Sequence, residues 1–109
     1  MRDLAALKQR YEQDRVAVQI GGLASNLSRI AWCMRRSEAS AGLAAMLRES
    51  KYFAEWAAAR APLETQEVLA EVQVELALWE RKSAKGQFSP EDADMWVQRL
   101  LRVSGLMAE

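Results

Sequence analysis

The sequence predicts an all-α fold, an antiparallel bundle of four main helices with a short helix leading in. Three observations predict it. Large apolar side chains recur at steps of three and four over long stretches. Only two prolines and five glycines interrupt 109 residues, too few for a many-stranded β fold. The connections between periodic segments are short, which makes sequential helices antiparallel neighbours. The length suits one domain, residues 1–109, large enough to bury a real core.

Residues 2 to 14 form the short leading helix. Leu4, Leu7 and Tyr11 share a face, and Lys8, Gln9, Glu12 and Gln13 point away. This stripe is out of phase with Ile20 and Leu23, so a break or bend falls near Asp14, which is placed to cap the next helix. No Gly or Pro enforces the break, and one bent helix is an open alternative.

The second helix, from about Arg15 to Arg36, organises the chain. Val16, Ile20, Leu23, Leu27, Ile30 and Met34 form one bulky stripe. A seam of small residues, Ala17, Gly21, Ala24, Ser28 and Ala31, runs beside it. Such a helix can pack on two partners at once. Gly21 and Gly22 each cost about 1 kcal/mol relative to alanine in mid-helix. Close approach of another backbone is the expected reason, with a kink as the alternative. Arg35 and Arg36 suit the negative end of the helix dipole.

Ser37 to Ser40 is read as a polar turn. The third helix runs from about Ser40 to Arg60 and buries Leu43, Met46, Leu47, Phe53, Ala54 and Ala57, with Tyr52 and Trp56 at the edge. Pro62 stops it and can open the next helix, giving a tight hairpin. The fourth helix spans about Leu63 to Lys82, with Leu69, Val72, Leu76 and Trp79 inward and Val68 and Ala77 flanking. Its acids come first and its bases, with Lys85 beyond, come last, in keeping with the dipole. Ala84 to Phe88, with Gly86, is a loop. Ser89-Pro90-Glu91-Asp92 is a strong helix start. The last helix carries Trp96, Val97, Leu100, Leu101 and Val103, and Gly105 ends it so that Leu106 and Met107 can fold back.

Composition excludes several functions. Fifteen basic and fifteen acidic side chains cancel, so no global field draws the chain to nucleic acid or anionic lipid. There is no histidine, which removes imidazole as a base, proton shuttle or metal ligand. The single cysteine, Cys33, cannot form an internal disulfide or a thiolate cluster, and the cytosol is the expected compartment. No signal peptide is visible, and no apolar run approaches the roughly 20 residues of a membrane span. No cofactor is implied. Gly21-Gly22 lies inside an apolar helix and lacks the strand context of a dinucleotide site.

Four constellations remain. Glu64, Glu67, Glu71 and Glu75 share a helix face and could hold a cation or a basic partner, although a solvated face is the plainer reading. Arg29, Arg35, Arg36 and Arg48 could gather into an anion-binding patch, with dipole complementation as the plainer reading. Ser25, Asn26 and Ser28 lie mid-helix, where they either line a pocket or bond back to their own helix. Cys33 has neither a helix N-terminus nor a histidine to activate it and is read as packing. Each long helix carries one tryptophan. Trp32 and Trp56 stand off the main apolar stripes and are the candidates for an exposed interaction surface.

Some stretches resemble a known group. Gly21-Gly22-Leu23-Ala24-Ser25-Asn26-Leu27-Ser28-Arg29-Ile30 is similar to a GGLAxNLxRI pattern. Glu49-Ser50-Lys51-Tyr52-Phe53-Ala54-Glu55-Trp56 is similar to ESKxFxEW. With residues 71–79 and Ser104-Gly105-Leu106, they resemble a family of small uncharacterised helical proteins of cyanobacteria. The resemblance implies a cytosolic bacterial protein and supplies no catalytic residue.

Three functions are therefore expected, in order. The first is a non-catalytic interaction or scaffolding module that self-associates as a homodimer, because a thin bundle leaves apolar surface for a twofold mate to cover. The second is a small-molecule-binding protein or small enzyme with a pocket near Gly21, Ser25 and Arg29. The third is a nucleic-acid accessory factor using the arginines of the second helix.

Overall fold

The computed structural model describes residues 3–36, 41–84 and 89–105, and these form five helices with no strand among them. They are α1 (Leu4–Glu12), α2 (Val16–Arg35), α3 (Ala41–Ala58), α4 (Leu63–Ala84) and α5 (Pro90–Ser104). The expected turn at 37–40, Gly86 and Lys85 of the loop, and the fold-back of Leu106 and Met107 lie outside the described residues.

Each main helix packs on the next, α2 on α3, α3 on α4 and α4 on α5, and α5 returns to pack extensively on α2. The ring leaves α2 and α4 diagonally opposed. Its weakest side is the one between α4 and α5. The α2–α5 pair is antiparallel, since Arg35 at the end of α2 meets Glu91 and Asp94 at the start of α5. α1 lies across α3 rather than joining the ring.

The core follows the periodicity. Ile20, Leu23, Leu27 and Ile30 of α2 are sealed from solvent, with Leu47, Ala54 and Ala57 of α3, Leu69, Val72, Leu76 and Trp79 of α4, and Trp96 and Leu100 of α5. Each buried Leu or Ile contributes about 1.5–3 kcal/mol of transfer free energy. Val16, Met34, Leu43 and Met46 close the ends of these stripes and are only half-buried.

The helix ends show what local chemistry decides. Ser89 caps α5 by accepting a hydrogen bond from the Glu91 amide at 3.2 Å. Pro90 is the first helical residue. Gly105 ends α5 in the left-handed region at φ 82°, where a Cβ would be strained. Asp3 caps α1 through the amides of Ala5 and Ala6. The expectation that Asp14 caps α2 is not met. Arg15 holds that position and makes no side-chain cap bond, while the Asp14 carbonyl is turned inward to accept from Gln19. Pro62 stands just before α4 instead of inside it, and its carbonyl accepts from the Gln66 amide at 2.9 Å.

Gly22 differs from expectation as well. A Cβ on Gly22 would meet the ring edge of Tyr11 at 3.6 Å, a side chain at ordinary contact distance and not an approaching backbone. Along the small seam, Ala24 and Ala31 are buried, Ala17 and Gly21 are half-buried, and Ser28 is exposed.

Candidate functional site

α1 lines one side of two adjoining depressions, and a buried polar clasp holds α1 in place. Gln19 is fully buried in α2. Its amide nitrogen donates to the Tyr11 carbonyl at 3.0 Å and the Asp14 carbonyl at 3.2 Å. The Tyr11 hydroxyl donates back to the Gln19 carbonyl. Arg60, from the α3–α4 turn, donates to the carbonyls of Glu12 and Asp14. Together these satisfy carbonyls that the end of α1 leaves without helical partners. Burial, and secondarily the charge of Asp14, pushes the Tyr11 phenol well above its ordinary range. It is therefore a fixed hydrogen-bond donor, not a base.

The Tyr11 ring stacks on Phe53, with centroids 4.2 Å apart and planes 6° from parallel. Trp56 closes the cluster at 5.9 Å from Tyr11 and 5.5 Å from Tyr52. This overturns the expectation of an exposed Trp56, which is only 8% exposed. The α3 stripe alone leaves Trp56 at the edge. The crossing of α1 supplies a second buried flank that no periodicity within α3 reveals. Gln19 and Ser50, both fully buried, were also missed. Nothing in an amphipathic pattern marks a polar residue as internal, and Ser50 is accommodated by donating to the Met46 carbonyl of its own helix at 2.8 Å.

Beside α1 lie two adjoining open grooves that share Leu7, Asn26, Arg29 and Glu49. One, of about 510 Å³, has apolar walls from Leu4, Met46 and Tyr52 and reaches Arg48. The other, of about 580 Å³, is floored by Gly21, Gly22 and Ser25 and bounded by Phe53 and Leu101. Gly21, Ser25 and Arg29 thus line one depression. Asn26 is buried at its edge and donates to Glu49 at 3.4 Å. Ser25 and Ser28 are exposed.

The arginines separate. Arg35 is bound to Glu91 at 3.3 Å and Asp94 at 2.5 Å, and these carboxylates raise its affinity for its proton. Arg36 lies over the Trp32 ring, 4.6 Å from its centroid. Arg29 and Arg48 face the groove and make no ion pair among the described residues. Trp32 is 54% exposed. Cys33 is half-buried.

In the glutamate row, Glu64 and Glu67 are exposed, Glu71 accepts from Arg99 at 3.0 Å, and Glu75 is half-buried. Among the described residues no group of three or more carboxylate or cysteine side chains is placed to hold a metal ion. No described helix is long and apolar enough to cross a membrane.

The outward side of α4 forms a second region that sequence reasoning missed. Leu63, Val74 and Leu78 are exposed there, and Met95 of α5 is exposed beside Val74. Val74 and Met95 border a shallow groove of about 570 Å³ between α4 and α5, with Trp96 beneath and Arg99 4.2 Å over its ring. The signal was present in the apolar residues opposite the main stripe of α4.

No protein-family model, curated protein or solved structure matches the chain.

Proposed function

We propose that the protein is a non-catalytic, cytosolic interaction module that self-associates, in keeping with a scaffolding role. One observation carries this reading. Large apolar side chains stay exposed, Leu4 on α1, Val18 and Trp32 on α2, Leu63, Val74 and Leu78 on α4 and Met95 on α5, and Val74 and Met95 border the same groove. Single exposed apolar residues are ordinary, but grouped ones mark surfaces that a partner covers. Sedimentation velocity from nanomolar to high micromolar concentration tests it. A mass that rises with concentration is expected. A monomer throughout, with no specific partner purified with the tagged chain from its native host, would retire the proposal.

A second reading has its own support. Gly21, Ser25 and Arg29 line a groove that adjoins one with apolar walls, and Arg29 and Arg48 beside it make no ion pair among the described residues, a setting for a small amphiphilic anion. Amide chemical-shift changes confined to these residues on titration with a medium-chain carboxylate would support it, and Arg29→Ala would remove them. Nucleic acid is third. Arg35 and Arg36 are engaged elsewhere, which leaves Arg29 and Arg48. A gel shift in low salt that falls steeply as salt rises is the outcome this reading needs.

A further inference from the structure

The outward side of α4 has an internal symmetry. Glu67, Ala70, Val74, Leu78 and Arg81 follow one another at steps of three, four, four and three. At 100° per residue they fall within a sector of about 80° and form one stripe. All five are exposed, and Val74, at 62%, is the most exposed of the large side chains in the middle of the stripe. The spacing is a palindrome centred on Val74. The chemistry is not, because an acid stands at one end and a base at the other. Neither Glu67 nor Arg81 has an ion-pair partner among the described residues.

We infer that this stripe is the contact between two copies of the chain, with α4 of one packed antiparallel on α4 of the other about a twofold axis through Val74. The inference rests on the self-association proposed above and specifies its surface. In this register Val74 meets its own mate on the axis. Ala70 lies opposite the partner's Leu78, a small residue against a large one, so the helices can approach to the usual 8–10 Å. Glu67 lies opposite the partner's Arg81, and Arg81 opposite the partner's Glu67. The reverse orientation sets Glu67 against Glu67 and Arg81 against Arg81, so like charges exclude the parallel dimer. A twofold contact needs a self-complementary patch, and this palindrome supplies one. Ala77 beside the stripe adds no bulk, and Met95 on α5 extends the apolar area toward the weak side of the ring. One helix pair with that flank stays near the lower limit of specific interfaces, about 1,200 Å² in all, so a micromolar dissociation constant is expected.

Sedimentation equilibrium of the full chain and its variants tests the arrangement. Val74→Arg places two guanidinium groups on the axis and is expected to raise the dissociation constant about a hundredfold or more. Glu67→Arg and Arg81→Glu each set like charges opposite one another twice and should raise it about threefold to tenfold. The double variant Glu67→Arg with Arg81→Glu should return to within about twofold of the parent. All of these positions are exposed, so circular dichroism is expected to show the parent helix content in each variant. For orientation, in a Cys33→Ser background, chains carrying Glu67→Cys should form disulfides with chains carrying Arg81→Cys, and not with each other. A dimer indifferent to Val74→Arg, or one in which Glu67→Cys chains cross-link to themselves, overturns the α4 assignment and leaves self-association through another face. A parent chain that is monomeric at every concentration overturns both.

Discussion

Trp56 and Val74 both stand off the apolar stripe of their own helix, on α3 and α4, yet their surroundings are opposite. Trp56 is shut in by Tyr11, Phe53 and Tyr52 because α1 crosses its flank. Val74 has no helix across it and stays open. Periodicity identifies the side of a helix that faces the common core. What happens to an apolar residue on another side depends on whether a further element reaches it. The leading helix performs that service for α3, and the chain has no sixth helix to perform it for α4 among the described residues.

The largest effect that could break the comparison is the loss of Trp56. Truncating a buried tryptophan removes its transfer free energy and leaves a cavity, so Trp56→Ala is expected to cost about 3–5 kcal/mol in urea denaturation. Trp32→Ala, at a site 54% exposed, should stay within about 0.5 kcal/mol of the parent. Equal costs at the two tryptophans would mean that α1 does not bury Trp56 in solution.

Next is the clasp that holds α1 against the bundle. Gln19→Ala removes two hydrogen bonds from the clasp, one to the Tyr11 carbonyl and one to the Asp14 carbonyl. The expected cost is about 1–3 kcal/mol. Amide hydrogen exchange should speed up first in α1, since opening there no longer breaks the bonds to Gln19. Uniform acceleration across all five helices would instead tie α1 to the global unfolding unit.

A smaller, pH-dependent effect belongs to Tyr11. Its phenol holds its proton more firmly in the folded state than in the unfolded chain, whose ordinary value is near 10. Stability from the protonated hydroxyl is complete below that value. As pH rises past it, the unfolded chain ionises first and the stability is lost. Tyr11→Phe should cost about 0.5–1.5 kcal/mol at neutral pH. Above pH ~10 the parent should lose stability faster than the variant, and the gap should narrow. Parallel declines would show that this phenol is solvated.

The outline of the bundle was legible because large side chains at three-four spacing have only one way to leave water together. Ile20, Leu23, Leu27 and Ile30 lie buried in one row, and the Ser89-Pro90 start and Gly105 stop stand where capping chemistry puts them. The candidate regions were less legible. Gly21, Ser25 and Arg29 could be grouped from one helix, but their groove is completed by Leu7, Phe53 and Leu101 from three others. Arg35 looked like part of a cationic patch, and only the return of α5 assigns it to Glu91 and Asp94. Val74 and Leu78 do not stand out in the sequence because an exposed apolar residue gains meaning only when its neighbours in space are known.

The smallest effect sharpens the same contrast, because it concerns the price of leaving one place on α2 bare. Gly22 lies beneath Tyr11, and an added Cβ would sit 3.6 Å from the ring edge, an ordinary contact that requires no shift. Glycine in mid-helix is disfavoured by about 0.8–1 kcal/mol relative to alanine, largely through the freedom it gives the unfolded chain. Gly22→Ala should therefore stabilise the protein by about 0.5–1 kcal/mol, read as a higher urea midpoint at unchanged slope. Destabilisation would mean that α1 packs on α2 more closely than its contact distance allows, and that the bare strip is needed to seat the leading helix.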